Sequence, residues 1–115
     1  MDCVTIPGEN PWIRDYMPVC IPDLGLFQFR YAPSYHKDSR YRETEVVFVP
    51  EHLRRESTKM DWVMDGGGVL ADDEVVLLSA AFPPPDASML DCFSGKAVLT
   101  IPVSENDFTG HLDGL

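Results

Sequence analysis

Basic side chains are scarce in this sequence: nine Lys and Arg stand against nineteen Asp and Glu, a formal net charge of -10. Nucleic-acid phosphates are bound mainly through Lys and Arg, so the deficit argues against that partner class. It suits a cationic ligand, although solubility alone also accounts for it. Cysteine is sparse too. Cys3, Cys20 and Cys92 are odd in number, dispersed and in no metal-ligand spacing, which reads as free thiols in a reducing cytosol and no metal. No apolar run is long enough to span a bilayer, and Asp2 directly after Met1 is a poor start for a secretory segment. The expectation is a cytoplasmic protein with no membrane partner. What is there, 115 residues at 44% hydrophobic and 24% charged, fits one soluble globular domain with a modest core.

Punctuation by proline and glycine divides the chain into short elements, a mixed α/β (α+β) pattern. Val4-Thr5-Ile6-Pro7 reads as a strand stopping at the loop Gly8-Glu9-Asn10-Pro11. Val19-Cys20-Ile21-Pro22, the turn Asp23-Leu24-Gly25 and Leu26 to Tyr31 read as a hairpin. Alternation in its second arm puts Phe27, Phe29 and Tyr31 toward the core and leaves Gln28 and Arg30 on the other face. Ala32 to Arg42 reads as a long exposed loop, whose Tyr35, His36 and Tyr41 either rim a site or are simply solvated. Val46 to Val49 has strand propensity, and Pro50 suits the first turn of a short helix running to about Ser57. His52 is then a solvated helix residue.

Met60 to Met64 reads as a buried strand running into Asp65-Gly66-Gly67-Gly68. Three successive glycines imply positive φ or a backbone packed against a neighbour. No Lys followed by Ser or Thr comes after them, which excludes a phosphate loop. Val69-Leu70 and Val75 to Ser79 form a second hairpin. Its acidic turn, Ala71 to Glu74, lacks a recognised calcium pattern and reads as solvated. Asp86 caps a helix over Ala87 to Phe93, Ser94-Gly95 stops it, and Ala97 to Val103 is the next strand.

Three stretches carry candidate chemistry. In Gly110-His111-Leu112-Asp113-Gly114, an extended backbone turns His111 and Asp113 to one side, a base beside a carboxylate that suits a cationic substrate and its protons. Alone, the pentapeptide is also an ordinary surface turn. In Trp12-Ile13-Arg14-Asp15-Tyr16-Met17-Pro18, either an irregular backbone points Asp15 into a cleft walled by Trp12, or Trp12 is buried and Arg14 pairs with Asp15 at the surface. Asp65 is either a third site carboxylate or part of a tight turn.

The two ends also match each other. Val4-Thr5-Ile6-Pro7 is followed by Glu9-Asn10 and reaches Asp15; Leu99-Thr100-Ile101-Pro102 is followed by Glu105-Asn106 and reaches Asp113. Between them the order strand, strand, helix, strand occurs twice, in units of about 16–65 and 66–103 flanked by 4–15 and 99–115. Repeats of this kind gather ligand groups around one axis.

With these stretches in order, the chain resembles the guanidino-group-modifying superfamily, the pentein fold, and within it the agmatine deiminase and bacterial peptidylarginine deiminase family. Trp12 to Pro18 resembles the Trp-x-Arg-Asp-x-x-Pro motif. Asp65-Gly66-Gly67 resembles the acidic residue followed by two glycines, and Gly110 to Gly114 the Gly-His-x-Asp-Gly motif. The resemblance implies a partial pentein of about two ββαβ repeats. It also implies a guanidino small molecule or an arginine side chain as ligand, and no cofactor. By motif position, Asp15 and Asp113 would bind the guanidinium nitrogens. His111 would protonate departing ammonia and then activate water, Asp65-Gly66-Gly67 would support the substrate or the His111 geometry, Trp12 would wall the pocket, and Arg14 would lie among the substrate-binding residues.

The sequence departs from the family at Gly68, where a polar residue is usual, and in a shortened stretch from Gly68 to Gly110. The family's nucleophilic Cys lies well beyond the His motif, and neither Cys3, Cys20 nor Cys92 matches its setting. The chain alone is therefore expected to be inactive. Its alternative role is a binding or interaction module, expected to be a homo-oligomer because a partial pentein leaves strand edges unpaired.

Overall fold

The computed structural model describes residues 13–32, 51–107 and 109–113. The expected strand Val4 to Pro7, the loop after it, Trp12, the stretch 33–50 with Tyr35, His36 and Tyr41, Phe108 and Gly114 lie outside the described residues. Within them the elements in order are α1 (Ile13–Tyr16), β1 (Val19–Ile21), β2 (Gly25–Arg30), α2 (Glu51–Glu56), β3 (Ser57–Val63), a 3-10 turn (Gly66–Gly68), β4 (Val69–Ala71), β5 (Val75–Ser79), α3 (Ala87–Asp91) and β6 (Ala97–Ile101). The fold is mixed α/β, and none of the described helices is long and apolar enough to cross a membrane.

The strands form two three-stranded mixed sheets of identical plan, β1-β2-β3 and β4-β5-β6. In each, a hairpin supplies an antiparallel pair, and after a helix the third strand adds parallel to the second. Parallel addition requires a crossover, which is the physical reason a helix stands between second and third strands. The first hairpin turns through Asp23 and Gly25, both at positive φ. In the second, Asp72 accepts from the backbone N–H groups of Glu74 and Val75. The Lys96 ammonium donates to the carbonyls of Asp72 and Asp73, so a lysine of this chain caps the acidic turn.

Several boundaries differ from the sequence expectation. The Trp12 to Asp15 stretch is not irregular from Ile13 onward, because α1 begins there. Helix α2 passes into β3 without a loop, Ser57 donating its hydroxyl to Leu53 O. Strand β3 is half-buried rather than buried: Met60, Trp62 and Met64 face inward while Asp61 is exposed, the period of two of a one-faced strand. Helix α3 is shorter than Ala87 to Phe93, and Asp86 caps it by accepting from Met89 N–H. Strand β6 stops at Ile101, ahead of Pro102, whose missing N–H cannot extend the ladder.

The core is shared between the two units. Ile21, Phe27, Phe29, Met60, Trp62 and Met64 of the first meet Val69, Val76, Leu78 and Phe93 of the second. Phe93 stands 5.5 Å from Phe27 and 6.4 Å from Trp62 between ring centroids, and Trp62 Nε1 donates to Pro83 O. Burying such an aromatic contributes on the order of 1.5–3 kcal/mol. The end of α3 thus holds the second unit against the first unit's sheet.

One expected facing is corrected. Arg30 is exposed, but Gln28 is buried, because α1 covers the face of β2 that was expected to meet water. Its Nε2 donates to Tyr16 O at 2.9 Å and to Phe29 O at 3.1 Å.

Candidate functional site

Strand β3 ends at Val63, and two residues later Asp65 enters the 3-10 turn as a fully buried carboxylate. The three glycines after it do not adopt positive φ; they are small because neighbours press on them. A Cβ on Gly66 would lie 2.1 Å from Arg14 O, and one on Gly67 would lie 2.6 Å from the His111 ring and 3.1 Å from Asp113 Oδ1. Close approach, not a left-handed backbone, is therefore what this stretch needs glycine for. It brings α1 and the 110–113 segment to the same turn.

The 110–113 segment is a turn rather than a strand. Asp107 Oδ1 accepts from Thr109 N–H, the Thr109 hydroxyl and Gly110 N–H. These bonds, the Thr109 hydroxyl foremost, hold the Asp107 carboxyl below the usual carboxylate range. Gly110 follows at φ +68°, a left-handed conformation that L side chains rarely adopt. Gly67 O then accepts from Leu112 N–H at 2.7 Å and more loosely from Asp113 N–H at 3.4 Å. Leu112 is buried, and His111 and Asp113 both face Gly67. The shared side expected of an extended pentapeptide is thus reached through a turn.

Three of the expected site residues meet closely. His111 Nε2 lies 3.1 Å from Asp65 Oδ2 and 3.8 Å from Asp15 Oδ1. Asp15 is 8% exposed, so the alternative of a surface Arg14 to Asp15 pair does not describe it. Burial pushes the Asp15 carboxyl above its ordinary value; His111 pulls it back, Asp65 and Asp113 push it up further, and Arg14 opposes them. Arg14 instead pairs with Asp113, Nε to Oδ2 at 2.5 Å. Asp113 therefore already holds one guanidinium, from within the chain. Trp12 lies outside the described residues.

Chemically the cluster is two buried carboxylates against one imidazole, with a third carboxylate beside them. Such a set attracts a cation, and Asp65, in contact with Nε2, orients the imidazole and leaves the other ring nitrogen for proton exchange. The ligand atoms of Asp15, Asp65 and His111 all lie within 4.8 Å of one another, a donor set of the type that also holds metal ions, and no thiol joins it among the described residues. A groove of about 580 Å³ is walled by Arg14, Met17, Pro18 and residues of β1 and β4; it meets the cluster only through Arg14, since Asp15, Asp65, His111 and Asp113 do not line it.

The sequence reading missed three residues that shape this corner: Gln28, Ser79 and Asp107. Asp107 had a visible signal, an acceptor two residues before Thr109 in a short polar loop, the pattern of a side chain bonding its own backbone. Gln28 had none, since nothing local to β2 shows that α1 covers it. Comparisons with family models, with curated proteins and with solved structures find no match to this chain.

Proposed function

We propose that Asp15, Asp65, His111 and Asp113 form the guanidinium-binding and acid/base corner of a site like that of the agmatine deiminase and bacterial peptidylarginine deiminase family, carried on a partial pentein of two ββαβ units. The observation that carries this reading is the convergence of Asp15 and Asp65 on His111 Nε2, at 3.8 and 3.1 Å, from three stretches distant in sequence. Asp15 and Asp113 bind the guanidinium nitrogens, since a planar cation with paired N–H groups suits carboxylate partners. Asp65 orients His111, which gives a proton to departing ammonia and takes one from water. The covalent step of that chemistry needs a thiolate, and imidazole with carboxylates does not replace it. The chain alone therefore binds a guanidine without turning it over.

Calorimetric titration with agmatine and with arginine tests this. Saturable binding that is lost in Asp15→Ala and Asp113→Ala supports it; absence of binding sinks it. Incubation with either compound yields no carbamoylputrescine or citrulline, and clear turnover by the purified chain would overturn the assignment of an incomplete site.

A second reading, a non-catalytic interaction module, is favoured by β6, which among the described residues has a strand on one side only and carries Leu99 at 52% exposed. Edges of this kind pair with another copy. Light scattering decides it: a homo-oligomer supports the module, and a stable monomer with a working guanidine site removes its motivation.

A further inference from the structure

The carboxylate that the proposed site reserves for a guanidinium is occupied by one belonging to the chain. Arg14 Nε bonds Asp113 Oδ2 at 2.5 Å, and the Arg14 side chain is 61% exposed against 26% for Asp113. We propose that Arg14 is an internal competitor for the site, a latch that an incoming guanidine must displace from Asp113. The proposal rests on the guanidinium-binding reading above.

Geometry makes the exchange feasible. A planar guanidinium grips a carboxylate best through two parallel N–H bonds that use both oxygens. Arg14 engages Oδ2 through Nε, so an incoming guanidinium meets a carboxylate already partly claimed, with a like charge beside it, and its two-point grip improves when Arg14 lets go. The Arg14 backbone is fixed independently of its side chain: its carbonyl presses on Gly66, and the next residue, Asp15, faces His111. The side chain can therefore leave without moving Asp15. It also has somewhere to go, because Arg14 forms part of the wall of the groove that runs past Met17 and Val19 to Val69 and Leu70. Ion pairs this exposed are weak, so a ligand that makes a better-desolvated pair outcompetes it.

Positional logic also separates Arg14 from a residue that assists binding. A cation at Asp113 repels a second cation beside it, so removing Arg14 relieves both competition and repulsion. Lysine keeps the charge but loses the planar fork.

The test is calorimetric titration of the full chain with agmatine, comparing wild type, Arg14→Ala, Arg14→Lys and Asp15→Asn. The latch predicts that Arg14→Ala binds about two- to fivefold tighter than wild type, the range of a weak exposed pair, with Arg14→Lys between them. Equal or weaker binding by Arg14→Ala, with binding present in wild type and lost in Asp15→Asn, overturns the latch and leaves the guanidine site standing. No saturable binding by wild type or Arg14→Ala removes the guanidine site and the latch with it. Should Arg14→Ala fail to fold, the nitrogen-15 resonance of Arg14 Nε in wild type decides: a shift toward the solvent-exposed value at saturating agmatine supports displacement, and an unmoved resonance refutes it.

Discussion

Gln28 and Ser79 occupy the same position in the two sheets. Each stands one residue beyond the last hairpin pair, Val19 with Phe27 and Val69 with Leu78. Each is matched in the parallel strand one residue beyond a threonine, Thr58 or Thr100. Both are buried polar residues, and each lies beside a segment that bears site residues. Gln28 donates to Tyr16 O, next to Asp15. Ser79 Oγ accepts from Ala81 N–H and lies 3.3 Å from where a Cβ on Gly110 would stand, next to His111. The repeated plan thus sets one buried polar side chain beside each of the two segments.

Gln28→Leu keeps approximate volume and removes both donated bonds. The buried carbonyls of Tyr16 and Phe29 then lose a partner, a penalty of about 1–3 kcal/mol. A chemical denaturation series should show that loss together with weaker agmatine binding, because α1 loosens beside Asp15. Unchanged stability and unchanged binding would remove Gln28 from the account.

Asp15→Asn should separate stability from function. The folded-state value of Asp15 is raised by burial, so the folded chain holds a proton there more tightly than the unfolded chain. Stability contributed by Asp15 is greatest below the unfolded value and declines as pH rises through the interval up to the folded value. Above that interval the ionised, desolvated carboxylate is a liability that asparagine lacks. The variant should melt higher than wild type at neutral pH, lose that advantage in acid and bind no guanidine. A lower melting temperature at neutral pH contradicts the assignment.

Gly67→Ala places a methyl against the His111 ring and Asp113 Oδ1. Overpacking of this kind costs about 1–3 kcal/mol. Here it also swings His111 away from Asp65, so the histidine ring resonances should move and agmatine binding should fall. Wild-type affinity in a folded Gly67→Ala protein would show that His111 does not form the site.

Phe93→Ala removes the ring that touches Phe27 and Trp62 across the two units. The expected loss is about 3–5 kcal/mol in urea unfolding. Because Phe93 is the main aromatic bridge, loss of cooperativity should accompany it, with the tryptophan fluorescence transition separating from the circular dichroism transition. Coincident, unshifted transitions would mean that the units are held together elsewhere.

The hairpins were legible in the sequence because their signals are local: Asp23-Leu24-Gly25 demands a turn, and Phe27, Phe29 and Tyr31 alternate with polar residues. The half-buried character of β3 and the burial of Gln28 were not, since each depends on which distant segment covers a face. The meeting of Asp15, Asp65 and His111 was anticipated only through the order of three motifs. The Arg14 to Asp113 pair was not anticipated at all. Its partners are 99 residues apart, and a local reading paired Arg14 with its neighbour Asp15 instead.

The carbonyl of Gly67 that accepts from Leu112 and Asp113 also bears on the order of folding. Asp65 and His111 are separated by 46 residues, so the clasp closes a loop that contains the whole second unit. Loop closure is an entropic debit that only formed structure can repay. The clasp is accordingly predicted to close late, after β4, β5, α3 and β6 have shortened the distance it must bridge. The contact of His111 with Asp65 is then expected to form only on completed assembly, and exchange protection at the Leu112 amide should report its arrival.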